Sequence, residues 1–175
     1  MTLILTLLAG VLTTVAAEAV ALATAPYSGW PGSLLALGLA LIAIGLLGFK
    51  DIVGRDRLGR AGIVLGFFGY AAFATTALLA MNAGVVGDGE IALTPFYLMS
   101  VLFMVLGFAA FALYAWRRES LMAGLPGLPV LLALAALLYL LRPLVPGWPF
   151  LHPAATLVGA LTLGWIALAW LRRPR

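Results

Sequence analysis

The stretch GFKDIVGRDRLGRAG, residues 48–62, decides how this chain is threaded. Its fifteen positions hold Lys50, Arg55, Arg57 and Arg60, four of the ten basic residues, and Asp51 and Asp56, two of the six acids. On either side lie long runs of Leu, Ala, Ile, Val and Gly with almost no charge. Such a basic island between apolar runs reads as a turn between two buried helices.

Composition sets the solvent. Of the 175 residues, 65% are hydrophobic and 9% are charged, and the mean hydropathy is +1.16. A soluble domain carries about 25% charged residues, so a chain this apolar has too little polar surface to face water. The sequence therefore predicts an integral membrane protein whose main partner is the lipid bilayer. The net charge of +4 does not point to nucleic acid, because the bases sit at the ends of apolar runs, where they set topology. With no cysteine, disulfides, thiolate metal sites and a cysteine nucleophile are excluded.

Crossing about 30 Å of hydrocarbon takes about 20 helical residues. Six runs meet or approach that length, at 2–24, 33–49, 61–82, 95–116, 121–141 and 153–171. The second is the shortest. A spanning strand would instead show about ten residues of alternating polarity, and these runs do not alternate. The fold class is all-α: one domain over 1–175, a polytopic bundle of six transmembrane helices. The first run is read as a retained helix rather than a signal peptide, because no base precedes it and Pro26 would follow the cut.

The connections alternate in charge. Lys50, Arg55, Arg57 and Arg60 lie between runs two and three, Arg117 and Arg118 between four and five, and Arg172, Arg173 and Arg175 after run six. Only Arg142 falls on the other side. The positive-inside rule then places the basic turns and both termini in the cytoplasm of a bacterial inner membrane. Asp51 and Asp56 are expected to cap turns there, and the four bases of the first turn are candidates for contact with lipid headgroups. The outer connections hold Tyr27, Trp30, Trp148 and Phe150 with prolines 26, 31, 143, 146, 149 and 153. These are interfacial aromatics on stiff turns, with a rigid lid over a pocket as the alternative.

Two segments repeat a pattern. FALYAWRRES (111–120) and IALAWLRRPR (166–175) each place Trp before an Arg pair, and their runs open at Pro95 and Pro153. GRAGIVLG and LMAGLPGL also correspond after the two basic turns. Three repeated helical hairpins about an axis along the membrane normal would produce this. The stretch LLGFKDIVGRDRLGRAGIVLGFFG, 46–69, resembles small six-helix bacterial integral membrane proteins of the uncharacterised type, chiefly over 41–80 with an echo at 104–135. That resemblance implies a membrane bundle and carries no activity onto named residues.

Gly62 and Gly66 form a small-xxx-small pair, and Gly38 and Gly45, seven apart, share a helix face. Both pairs are candidates for close helix packing, within the chain or in a homo-oligomer. Pro126 and Pro129 predict an irregular entry to helix five.

Glu18 is the only ionisable side chain inside a predicted span, which makes it a functional candidate by default. Four fates fit it: a protonated hydrogen-bond donor, a pair with Arg142, a carrier of a proton or cationic ligand, or an acid snorkelling to the surface. Thr14, a turn away, would extend a polar track, with Thr13 beside it. His152 reads as a solvated loop residue, and Asp88 and Glu90 as a polar turn. Tyr70, Tyr97, Tyr114 and Tyr139, with Phe67 and Phe68, either line an apolar pocket or serve as core and lipid-facing rings. No P-loop, catalytic triad or metal-ligand set is visible, so no catalytic residue, metal or cofactor is assigned. The expected function is non-enzymatic: an accessory subunit for a membrane partner, or a binder of lipid or another apolar ligand. The alternative is a small transporter or proton-coupled carrier using Glu18.

Overall fold

The computed structural model describes residues 1–23, 30–82, 95–117, 127–145, 148 and 150–172. The described chain is all-α. Its six main helices are α1 (Thr2–Ala23), α2 (Trp30–Leu46), α3 (Arg57–Asn82), α4 (Pro95–Arg117), α5 (Leu128–Leu144) and α6 (Leu151–Leu171). Each packs on the next in chain order, and α6 returns to α1. The result is a ring of six helices closed in sequence order, which needs no long crossover.

Several helix ends differ from the hydropathy boundaries. The second run is not short: beyond α2, helical structure continues through a 3₁₀ turn, Leu47–Phe49, and one further turn, Lys50–Val53. The span Trp30–Val53 reaches 24 residues. α3 likewise starts at Arg57, not at 61. Hydropathy finds where apolar residues stop, whereas Lys and Arg continue a helix readily once it leaves the apolar zone. The basic turn thus shrinks to Gly54, Arg55 and Asp56. Gly54 ends the first helix with φ 59° and ψ −123°, a conformation that disfavours any side chain. Asp56 begins the next helix as its N-cap, with Oδ1 accepting from the N–H groups of Leu58 (2.9 Å) and Gly59 (3.2 Å).

α5 corrects a boundary at each end. It begins at Leu128, after Gly127 in the left-handed region (φ 85°), with Pro129 in its first turn, where no backbone donor is needed. It then runs past residue 141, through Arg142 and Pro143. At 17 residues it is shorter than the other five helical spans, Trp30–Val53 among them, which are long and apolar enough to cross a membrane. Residues 121–126 of the expected fifth span lie outside the described residues, as do Pro26, Tyr27, Asp88, Glu90, Arg118, Arg173 and Arg175.

Glycines set how closely the helices approach. A Cβ on Gly10 would sit 2.6 Å from Ile42 N, and one on Gly38 would sit 2.8 Å from Thr14 N. Gly45 lies directly against the backbone of Leu7. α1 and α2 therefore meet backbone to backbone along one seam, with Gly38 and Gly45 both facing α1. A second seam joins α3 and α4, where a Cβ on Gly107 would lie 2.9 Å from Gly66 N and Gly62 rests on the Phe111 ring. Gly66 has more room, since its own Cβ would meet first the flexible tip of Leu46, at 3.1 Å.

Tyr70, Tyr97, Tyr114 and Tyr139 are all buried. Phe108 stacks on Tyr139 (5.8 Å, 16°) and meets Tyr70 edge-on (6.4 Å, 69°). Meanwhile Leu12, Leu37, Phe68, Leu102, Val130 and Leu161 stand exposed, at least one on every helix. Glu18, Arg142 and His152 are buried. The outer face is thus as apolar as the interior, unlike the polar surface of a soluble protein.

Gly38→Ala should lower the melting temperature in mild detergent, because the methyl meets backbone and overpacking costs about 1–3 kcal/mol. Gly66→Ala should shift it little. Equal shifts would contradict the seam described for α1 and α2.

Candidate functional site

One end of the ring gathers the buried charges. Glu18 sits a little over one turn from the end of α1, Arg142 lies in the last turn of α5, and His152 is the second residue of α6. Tyr97, in the first turn of α4, and Phe73, in the second half of α3, complete the site from two more helices.

Glu18 is fully buried, and its Oε1 lies 3.8 Å from His152 Nε2. That gap is just beyond a direct hydrogen bond, which needs about 2.7–3.2 Å. A small movement of either side chain would close it. Arg142 is 5% exposed, with its guanidinium carbon 4.7 Å from the Phe73 ring centroid and 4.8 Å from that of Tyr97. A desolvated cation between two ring faces gains about 2 kcal/mol or more from such contacts. The planar guanidinium suits them, as a compact ammonium would not. The imidazole of His152 lies 5.6 Å from the same Phe73 ring. Phe73 therefore touches both basic groups and fixes their spacing.

Tyr139, one turn before Arg142, ties the cluster to the core. Its phenol lies within electrostatic reach of Arg142, Glu18, Tyr70 and Thr156. The Thr156 hydroxyl donates to His152 O (3.0 Å), which fastens the first turn of α6. Pro143 follows Arg142 and cannot donate to the Tyr139 carbonyl, and the helix ends one residue later at Leu144.

His152 was expected in solvent and is instead buried in a helix beside Glu18. The helix absorbs it because Pro153 fits a first turn, and α6 packs on α1 where Glu18 lies. Arg142, expected at a loop edge, is inside the ring. Thr14 is buried one turn below Glu18, at the Gly38 crossing. Thr13 donates to its own helix at Ala9 O (2.9 Å). Sequence reasoning missed Phe73 and Tyr97 as ring partners of Arg142, because one aromatic among many gives no signal. It had a clue to His152: LRPLVPGWPFLHP puts Arg142 and His152 at the two ends of a proline-rich hairpin.

The four bases of the first basic turn lie at the opposite end. Tyr97 and Tyr114 mark the two ends of α4, about 25 Å apart at helical rise. Arg60 Nε donates to Gly54 O (3.0 Å), and Tyr114 OH to Ile52 O (3.4 Å). Lys50, Arg55 and Arg57 are exposed around that pinned turn. Among the described residues no three His, Cys, Asp or Glu side chains gather as a metal site would require.

Residues that share one charged network deviate from additivity by about 0.5–3 kcal/mol. Arg142→Gln removes the buried cation held against Phe73 and Tyr97 and should destabilise. The double variant Glu18→Gln/Arg142→Gln should cost less than the sum of the two single changes. Additive losses in thermal melts would mean that the two charges do not share a site. Comparison with family models, curated proteins and solved structures gives no match to this chain.

Proposed function

We propose that this chain is an integral protein of a bacterial inner membrane, crossing it six times with both termini in the cytoplasm. We further propose that it acts as a small proton-coupled carrier through Glu18. The exposed leucines on every helix support the first part, since hydrocarbon is the solvent that tolerates them. Among the described residues, six bases at one end against a single buried arginine at the other support the orientation.

The observation that carries the carrier reading is Glu18, fully buried 3.8 Å from His152. Consider the charges. With Glu18 ionised, Arg142 charged and His152 neutral, the cluster is neutral. One proton, on either Glu18 or His152, makes it +1. An uncompensated charge in an apolar bundle is expensive, so proton occupancy biases any rearrangement that opens the cluster to one side. Three ionisable groups on α1, α5 and α6 sit where the ring closes on itself, and a rearrangement there breaks no chain connection between α1 and α6.

A second reading is an accessory subunit or apolar-ligand binder, non-enzymatic in either case. Phe68, exposed on α3, groups with Phe67 (5.4 Å) and Phe103 of α4 (6.0 Å). Such an outward aromatic group suits a neighbouring protein helix or a flat apolar ligand. Native mass spectrometry after gentle extraction separates the readings: a stoichiometric added mass favours the subunit or binder.

Reporter fusions at residue 56 and at the C terminus should report cytoplasm, and one at residue 88 the exterior; an external signal at 56 overturns the threading. Proteoliposomes under an imposed pH gradient should pass protons faster than protein-free vesicles. Glu18→Gln, which keeps shape and loses titration, should abolish that excess while still reconstituting as a folded, monodisperse protein. An undiminished flux in the variant would rule out the carrier role of Glu18.

A further inference from the structure

The basic end of the ring contains a cavity of about 630 Å³, open on one side and lined by Ile52, Val53, Gly54, Asp56, Leu58 and Tyr114 together with Arg55, Arg57 and Arg117. We propose that it binds a phosphate-bearing anion, held by these three arginines. The site is independent of the Glu18 cluster, since it lies at the other end of the helices.

The arginines come from two places in the chain. Arg55 and Arg57 belong to the turn between α2 and α3, and Arg117 ends α4. The fold brings the two basic turns together, whereas Lys50 and Arg60, equally basic and close in sequence, do not line the cavity. Arg60 is used otherwise, with its Nε on Gly54 O.

Among the described residues the only acid on the wall is Asp56, and its Oδ1 already accepts from Leu58 N and Gly59 N. Counting Asp56, the lining keeps a surplus of two positive charges. The first donors of α3 are engaged by that same carboxylate, so the anion affinity assigned here belongs to the guanidinium groups. Planar guanidinium forks match the oxygens of a phosphate in pairs, which a point charge cannot do.

The wall is also held in place. Gly54 N donates to Lys50 O (2.9 Å), Asp56 N to Val53 O (3.2 Å), and Arg60 N to Asp56 O (3.0 Å). Tyr114 OH reaches across from α4 to Ile52 O (3.4 Å). A turn pinned from two helices loses less entropy on binding than a free one. The volume falls within the range of about 300–1,000 Å³ usual for small-ligand sites. Two sources supply the same chemistry: the headgroup of an anionic phospholipid at the membrane surface, or a soluble phosphate ester.

The test uses the full chain in phosphatidylcholine nanodiscs, with phosphatidylglycerol as the lipid probe and glycerol 3-phosphate as the soluble probe. Bound probe is counted by native mass spectrometry. Arg55→Gln/Arg117→Gln removes two cavity charges; Lys50→Gln/Arg172→Gln removes two charges outside it. Each base near a lipid surface contributes about a fivefold preference. The first pair should therefore cut retention of one probe by about 25-fold, and the second pair by much less. Loss confined to phosphatidylglycerol assigns the lipid, and loss confined to glycerol 3-phosphate assigns the soluble ester. Equal loss from both pairs reflects diffuse attraction to a basic surface and overturns the proposal, as does binding of neither probe. If the glutamine pair melts early, Arg55→Lys/Arg117→Lys keeps the charge and loses the forks. It should cut retention severalfold, and unchanged retention overturns the proposal.

Discussion

The carboxylate of Glu18 lies inside a ring of apolar helices, and the arrangement of that end of the ring follows from where its charge is held. Ionised, it needs opposite charge and polar neighbours in the interior, because an isolated ion there is prohibitively costly. His152 stands 3.8 Å from it on α6, the helix that closes the ring on α1, and Arg142 is buried at the same end on α5. Those groups are buried in turn, and need Phe73 and Tyr97 to face the guanidinium. Removing any one member leaves another uncompensated. A buried ion cluster is a poor source of stability for its own sake.

The close approach of the helices makes this possible. Gly10, Gly38 and Gly45 bring α1 onto α2 with little side chain between them, and Gly66 and Gly107 do the same for α3 and α4. In a lipid solvent, dispersion contacts of this kind must replace the hydrophobic effect as the force between helices. The two tight seams leave the larger side chains, four tyrosines and Phe108 among them, to fill the middle of the ring. Tyr139 is the link between the regions. It stacks on Phe108 in the core while its phenol faces the charges above.

The two ends of the bundle have opposite chemistry. Among the described residues, the charges at one end are few, buried and close to neutral in sum. At the other they are many, exposed and strongly positive, on a turn tightened by Gly54 and Asp56. The proposed proton site and the proposed phosphate site thus sit about 25 Å apart along the same helices. Separate chemistry at the two faces is what a protein lying across a membrane would require.

Much of the fold was legible in the amino-acid order. Long unbroken apolar runs specify helices, since in hydrocarbon every backbone group must find its partner locally. The spacing of Gly38 and Gly45 marked one helix face, and the isolation of Glu18 marked one residue. The helix ends were not legible, because hydropathy changes where the solvent changes, and Lys50 or Arg57 can stay helical beyond that point. The meeting of Glu18 with His152, 134 positions apart, was not legible either, nor was the joining of Arg117 to Arg55 and Arg57. Local sequence determines what each segment can bury. Which buried groups become neighbours depends on ring closure, through contacts between helices that no short stretch of sequence contains.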